Sequence, residues 1–143
     1  KVNMVTKLID GTFPDYTRVV PSINPEEPKI LFRKADLQLA IRAITAGASE
    51  RTRAVKLTWE KEGKLRVSSK WIDLGFEGSI EIDAKTNVKE PFNIGYNALY
   101  LRNVLDVSQG EEIAINCATD NSPGVIVAPG ATDFQTILMP MRV

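Results

Sequence analysis

Two stretches of the chain carry apolar residues at helical spacing, and short alternating runs surround each of them. Between residues 35 and 48, Leu37, Leu39, Ile41 and Ile44 recur with Ala40 and Ala43 between them, the stripe expected of a helix packed on a sheet. Gly47 stands near the end of that stretch, where a helix commonly stops. Residues 97–107 repeat the pattern with Leu99, Leu101, Val104 and Leu105 inward; Asn97 is placed to cap the first turn and Gly110 follows the last. Strands are predicted at 29–34 ahead of the first helix and at 54–59, 65–69 and 74–82 behind it. The first two of that trio flank the turn Glu60-Lys61-Glu62-Gly63-Lys64 and make a hairpin. Around the second helix, strands are predicted at 91–94, 112–118, 124–128 and 134–139.

The order is therefore strand, helix and three strands, twice over. Aligning Phe32 with Ile94, Leu37 with Leu99 and Leu39 with Leu101 keeps one constant offset between the copies. An α+β domain follows, with two helices on one face of an antiparallel sheet. The pattern ahead of it is poorer. Residues 1–9 alternate loosely and predict one strand ended by Asp10-Gly11, and residues 12–21 contain Pro14 and end in Pro21, which exclude a long helix. Residues 22–28, with two prolines and Glu26-Glu27, read as an exposed linker and place a domain boundary there. The start at Lys1, without an initiator Met and mid-strand in character, suggests a piece of a longer chain.

Composition narrows the function mainly by exclusion. At 143 residues the chain has the size of one domain with a substantial core. Eighteen basic residues balance eighteen acidic ones, which argues against a protein that coats nucleic acid over its whole surface. A local basic face stays open: Lys34, Arg42 and Arg102 sit on the helices, although such residues are more often solvated than bound to phosphate. With no histidine, neither a Ser-His-Asp triad nor a Cys-His pair can form, and His-containing or multi-Cys zinc sites are excluded. Both common phosphate cradles, G-x-x-x-x-G-K-[ST] and G-x-G-x-x-G, are missing. The carboxylate pairs Glu26-Glu27 and Glu111-Glu112 read as solvated surface, since neighbours on a strand point to opposite faces. Asp120-Asn121-Ser122-Pro123-Gly124 is a turn by composition and has too few carboxylates for a metal.

Trp59 and Trp71 stand apart, so no base-stacking ladder is visible, and the single cysteine, Cys117, lies in an apolar run and reads as core. One cysteine cannot form an internal disulfide and suits a reducing cytosol. No apolar stretch approaches the roughly 20 residues of a membrane span, and the start does not look like a signal peptide. The residues by themselves thus point to a binding module with no catalytic site, no metal and no cofactor. An enzyme of unrecognised constellation and a direct DNA-binding domain are the competing readings.

Two segments say more. Residues 9–21, I-D-G-T-F-P-D-Y-T-R-V-V-P, and residues 139–143, M-P-M-R-V, resemble the bacterial DNA polymerase III beta subunit, the replication sliding clamp. So do R-T-R-A-V-K-L at 51–57, F-N-I-G-Y-N-A-L-Y-L-R-N-V-L at 92–105 and T-D-N-S-P-G at 119–124, all in the family's order. The resemblance covers essentially the whole chain. It implies the DNA-clamp fold, a duplicated β-α-β-β-β unit, with residues 1–11 as the last strand of a preceding clamp domain, 12–28 as the interdomain linker and 29–143 as the C-terminal clamp domain. It further implies a cytoplasmic, non-catalytic processivity factor of bacterial DNA replication whose intact form is a homodimeric ring around duplex DNA, with the helices lining the hole. This chain alone is not expected to close such a ring.

The family's shared peptide cleft receives Gln-Leu-x-Leu-Phe-like segments of polymerase subunits, the clamp loader and repair proteins. Carried over residue by residue, the cleft takes Pro14, Arg18 and Val19 from the junction, Thr52, Asn97 and Tyr100, then Ser122 and Gly124 from the turn. Ile137, Leu138, Met139, Pro140, Met141, Arg142 and Val143 complete it. Thr52 and Ser122 depart from the bulkier or apolar residues that can stand there. Flexible Met139 and Met141 suit a site that repacks around different partners, Pro14 and Pro140 hold backbone without ordering cost, and Tyr100 offers an apolar face with a polar tip. Arg18 or Arg142 is available to a peptide carboxylate or carbonyl. Without the resemblance, Met139 and Met141 read as the end of a core strand.

Overall fold

In the computed structural model the alternating runs become strands. Each half of the domain starts with a short strand leading directly into a helix. The first half consists of β1 (Lys29–Arg33), α1 (Lys34–Thr45), β2 (Ala54–Trp59), β3 (Lys64–Trp71) and β4 (Phe76–Thr86). The second half repeats the order as β5 (Phe92–Asn97), α2 (Ala98–Val107), β6 (Glu112–Asn116), β7 (Gly124–Val127) and β8 (Thr136–Leu138). The structure describes residues 2–18, 20–21, 29–46, 54–59, 63–71, 75–87, 90–131 and 133–143. Gly47 and most of the predicted hairpin turn lie outside them.

The strands form one antiparallel sheet in the order β5-β2-β3-β4-β1-β6-β7-β8. The halves interlock, because β1 pairs both with β4 of its own half and with β6 of the other, while β5 pairs with β2. One face of the sheet and the two helices enclose the core. Ile30, Phe32, Leu57, Leu65, Val67, Ile94, Ile113, Ile115 and Ile126 point into it from the strands, and Leu37, Ile41, Leu101 and Leu105 from the helices. Cys117 belongs to the same core, as the sequence implies.

The helices begin in different ways. Asn97 Oδ1 accepts hydrogen bonds from the Leu99 and Tyr100 amides at 2.9 and 3.3 Å, satisfying two of the free N–H groups at the start of α2. Arg33 provides no side-chain cap for α1; instead the Lys34 amide donates to the Glu111 carbonyl at 2.8 Å. At the other end of α2, Ser108 is buried and both its amide and its hydroxyl donate to the Val104 carbonyl.

Three expectations need correction. Leu39 is 69% exposed and Ala43 is exposed too, so the buried stripe of α1 is Leu37, Ala40, Ile41 and Ile44. The repeat offset therefore shifts by two positions, matching Leu37 to Leu101, Ala40 to Val104 and Ile41 to Leu105. Two residues turn a helix by about 200°, which carries a side chain from the core face to solvent. Finally, residues 2–9 form no strand and lie exposed, for an extended segment needs a partner ladder and none of the described strands pairs with it.

On the outward face of β3 and β4 polar residues meet in cross-strand pairs. Lys64 pairs with Asp83 at 2.5 Å, Arg66 with Glu81 at 3.1 Å and Lys70 with Glu77 at 3.8 Å. All are solvent-exposed, so they favour solubility and register more than stability.

Candidate peptide-binding face

The sheet has two edge strands, β5 and β8, and the segment after β8 reaches from one to the other. Pro140 has no N–H for a ladder and follows the end of β8 at Leu138. Immediately beyond it, the Met141 amide donates to the Gly95 carbonyl of β5 at 2.9 Å. A cavity of about 400 Å³ opens at this crossing, lined by Lys56, Asn93 and Gly95 of the sheet, Asp120 and Asn121 of the turn, and Met141, Arg142 and Val143. A second, of about 430 Å³, continues over β2 and β3 and shares Lys56, Asn93 and Val143 with the first.

The turn at 119–122 is held by its own side chains. The Thr119 and Ser122 hydroxyls lie 2.6 Å apart, the Ser122 amide donates to the Thr119 carbonyl, and the Asn121 side chain donates to Asp120. Behind the turn, Gly124 is buried against Tyr96, whose hydroxyl presses on the space where a Cβ would be. That hydroxyl is fully buried and has no hydrogen-bond partner among the described residues. Burial, and secondarily the nearby Cys117, push its pKa far above the usual tyrosine range, so it stays neutral.

The expected site residues take different parts, and of them Met141, Arg142 and Val143 line the cavity at the crossing. Met139, Met141, Val143 and Tyr100 are exposed apolar side chains, with Met139 and Tyr100 63% and 58% accessible. Leu138 and Gly124 are buried and serve as support, Ile137 is half-buried opposite Val125, and the Asn97 carbonyl is taken up by its cap. Pro14 and Arg18 lie in an exposed segment whose bonds are local: Arg18, at the end of the short 3-10 turn Tyr16–Arg18, pairs with Asp15 just before it at 3.3 Å, and Phe13 packs edge-on to Tyr16. Val19 and Thr52 fall outside the described residues.

Of the three helix cations, Lys34 is the most constrained. Its ammonium donates to the Ser108 carbonyl at 2.9 Å, tying the start of α1 to the end of α2. Arg42 is exposed on α1, and Arg102 is half-buried on α2. Among the described residues, no group of three or more His, Cys, Asp or Glu side chains could hold a metal, and no helix is long and apolar enough to cross a membrane.

Sequence reasoning missed Gly95, Asn93, Lys56, Asp120 and Asn121 as lining residues. For Gly95 the signal was present, because a glycine inside a strand marks a close approach of another backbone. The others carry no mark, since a charged or amide side chain on an outward strand position looks the same whether or not a chain crosses above it.

Comparison with known proteins agrees with this architecture. Residues 17–142 match the family model of the DNA polymerase III beta subunit, C-terminal domain. The beta sliding clamp of Caulobacter vibrioides (strain NA1000 / CB15N) is 34% identical over 142 residues, covering 98% of this chain and 36% of that protein. That of Rickettsia bellii is 31% identical over 154 residues, covering 99% of the chain and 38% of the relative. Among solved structures, the sliding clamp of Bartonella birtlesii bound to griselimycin superposes with a TM-score of 0.85 at 29% identity, over 94% of this chain and 35% of that one. The chain thus spans a little over a third of the length of these relatives. It belongs to the DNA polymerase III beta subunit family and corresponds to that family's C-terminal domain.

Proposed function

We propose that this chain is the peptide-binding end of a bacterial replication clamp: a non-catalytic processivity factor that recruits its partners through the face built by Tyr100, the turn and residues 139–143. The observation carrying this reading is the crossing of Met141 onto β5, which holds two exposed methionines beside the capped start of α2. Methionine side chains adapt to different partner shapes at little cost, as a shared site requires. The occupants are Gln-Leu-x-Leu-Phe-like segments of polymerase subunits, clamp loader and repair proteins, and Pro14, Arg18, Val19 and Thr52 complete the walls.

In the intact cytoplasmic protein, residues 1–11 belong to the preceding domain, 12–28 link it to the domain at 29–143, and two subunits form a ring around duplex DNA. Lys34, Arg42 and Arg102 then face the hole. Topological enclosure explains why a neutral chain suffices, since no tight phosphate grip is needed.

Fluorescence anisotropy with a labelled Gln-Leu-x-Leu-Phe peptide tests the reading. Saturable binding to the chain is expected, with loss of binding on deletion of residues 139–143. Unchanged affinity after that deletion would remove the cleft from this face.

A further inference from the structure

Among the described residues, Gly95 is the one glycine of the sheet whose missing side chain is explained by a segment lying over it. Its φ is not positive; among the described glycines only Gly63, Gly75, Gly110 and Gly130 are left-handed. Any residue could therefore adopt its backbone conformation. The constraint is space, because a Cβ at Gly95 would collide with the Met141 carbonyl oxygen and would lie 2.6 and 2.7 Å from the two γ-carbons of Val143. Val143 can rotate away. The Met141 carbonyl is backbone, and it can yield only if the whole segment lifts, breaking the Met141 amide bond to the Gly95 carbonyl.

We infer that Gly95 is a positioning residue for the binding face: a bare seat on β5 that fixes residues 139–143 in the arrangement a partner peptide meets. The inference rests on the function proposed above, and it adds a residue that acts through the segment lying on it. Gly95 acts through Met141, which with Arg142 and Val143 lines the 400 Å³ cavity. A flexible segment held in its bound form loses less entropy when a partner arrives, so the seat contributes affinity by pre-ordering.

Gly95→Ala provides the test, since alanine suits a strand better than glycine and leaves the strand's own requirements intact. Three measurements are made on the full chain: the thermal midpoint, amide exchange by NMR, and peptide anisotropy. The midpoint should hold or rise, while the Met141 amide exchanges freely and the β2 and β5 amides keep their protection. Peptide affinity should fall as far as it does on deleting residues 141–143, and combining the substitution with the deletion should add no further loss. An equally protected Met141 amide would overturn the inference, and so would an unchanged affinity with the amide freed. A lowered midpoint with lost protection in β2 and β5 would also overturn it, making Gly95 a requirement of the strand. If the unaltered chain binds no peptide, the proposed function fails, whereas amide exchange still decides whether Gly95 seats the segment.

Discussion

The two halves of the domain share one plan and finish it differently. In the first, β4 runs from Phe76 to Thr86 and returns to pair with β1 through Ile30↔Thr86, Leu31↔Lys85 and Phe32↔Ala84. In the second, β8 is three residues long, and the tail beyond it meets β5 through the Met141–Gly95 bond. Under the corrected offset Leu31 and Gly95 are equivalent positions, so a half-buried side chain in one half corresponds to a bare backbone in the other. The first half closes a ladder. The second leaves a seam, and over that seam lies the segment proposed to meet a partner. A repeat can thus keep its core while reducing one strand pairing to a single backbone hydrogen bond.

The cores show the same divergence. By strand register, with Val67 facing Leu57 as Ile126 faces Ile115, Leu65 of β3 facing Ile82 corresponds to Gly124 of β7 facing Leu138. The volume given up at Gly124 is taken by the longer side chain at Tyr96, which stands where the first half has Phe32. The greatest loss is expected when the first half is made to imitate the second. Leu65 is fully buried with no tyrosine to fill behind it, so Leu65→Ala should cost about 2–5 kcal/mol in urea unfolding. A cost below about 1 kcal/mol would mean that the two cores are packed less distinctly than described.

The reverse exchange costs less. Gly124→Ala drives a methyl into the Tyr96 hydroxyl and should cost about 1–3 kcal/mol, by the same measurement. Tyr96→Phe removes a hydroxyl that has no partner among the described residues, so alone it should be neutral or stabilising, and it should recover most of the loss at Gly124. Additive effects would show that the two positions do not share this space.

A smaller contrast lies at the helix starts. Asn97→Ala removes a cap that accepts two amides and should cost about 0.5–2 kcal/mol, whereas Arg33→Ala, with no capping bond to lose, should fall within about 0.5 kcal/mol of the original. Equal losses at both would show that the Asn97 side-chain oxygen Oδ1 contributes little as a cap.

Most of the architecture was legible in the sequence because periodicity reports directly on burial. The order of elements, the Asn97 cap and the buried Cys117 all come from local pattern. Leu39 was misplaced because an apolar residue on a helix reads as inward whether or not a neighbour covers it. The strand expected at residues 2–9 failed for a related reason: alternation records a tendency to extend, while a strand requires a partner. For the binding face, the methionines and Tyr100 came from resemblance, whereas the crossing of Met141 over Gly95 joins positions far apart in sequence that no local pattern connects.

Whether residues 139–143 meet the partner can be read at the methionines. The chain has three, Met4, Met139 and Met141, the first in the exposed leading segment and the other two on the proposed face. Methyl-labelled methionine NMR during titration with the Gln-Leu-x-Leu-Phe peptide reads both places at once. The Met139 and Met141 signals should shift and saturate together, with Met141 moving most and Met4 least. Saturable binding that leaves Met139 and Met141 unmoved would contradict the assignment of partner binding to this face.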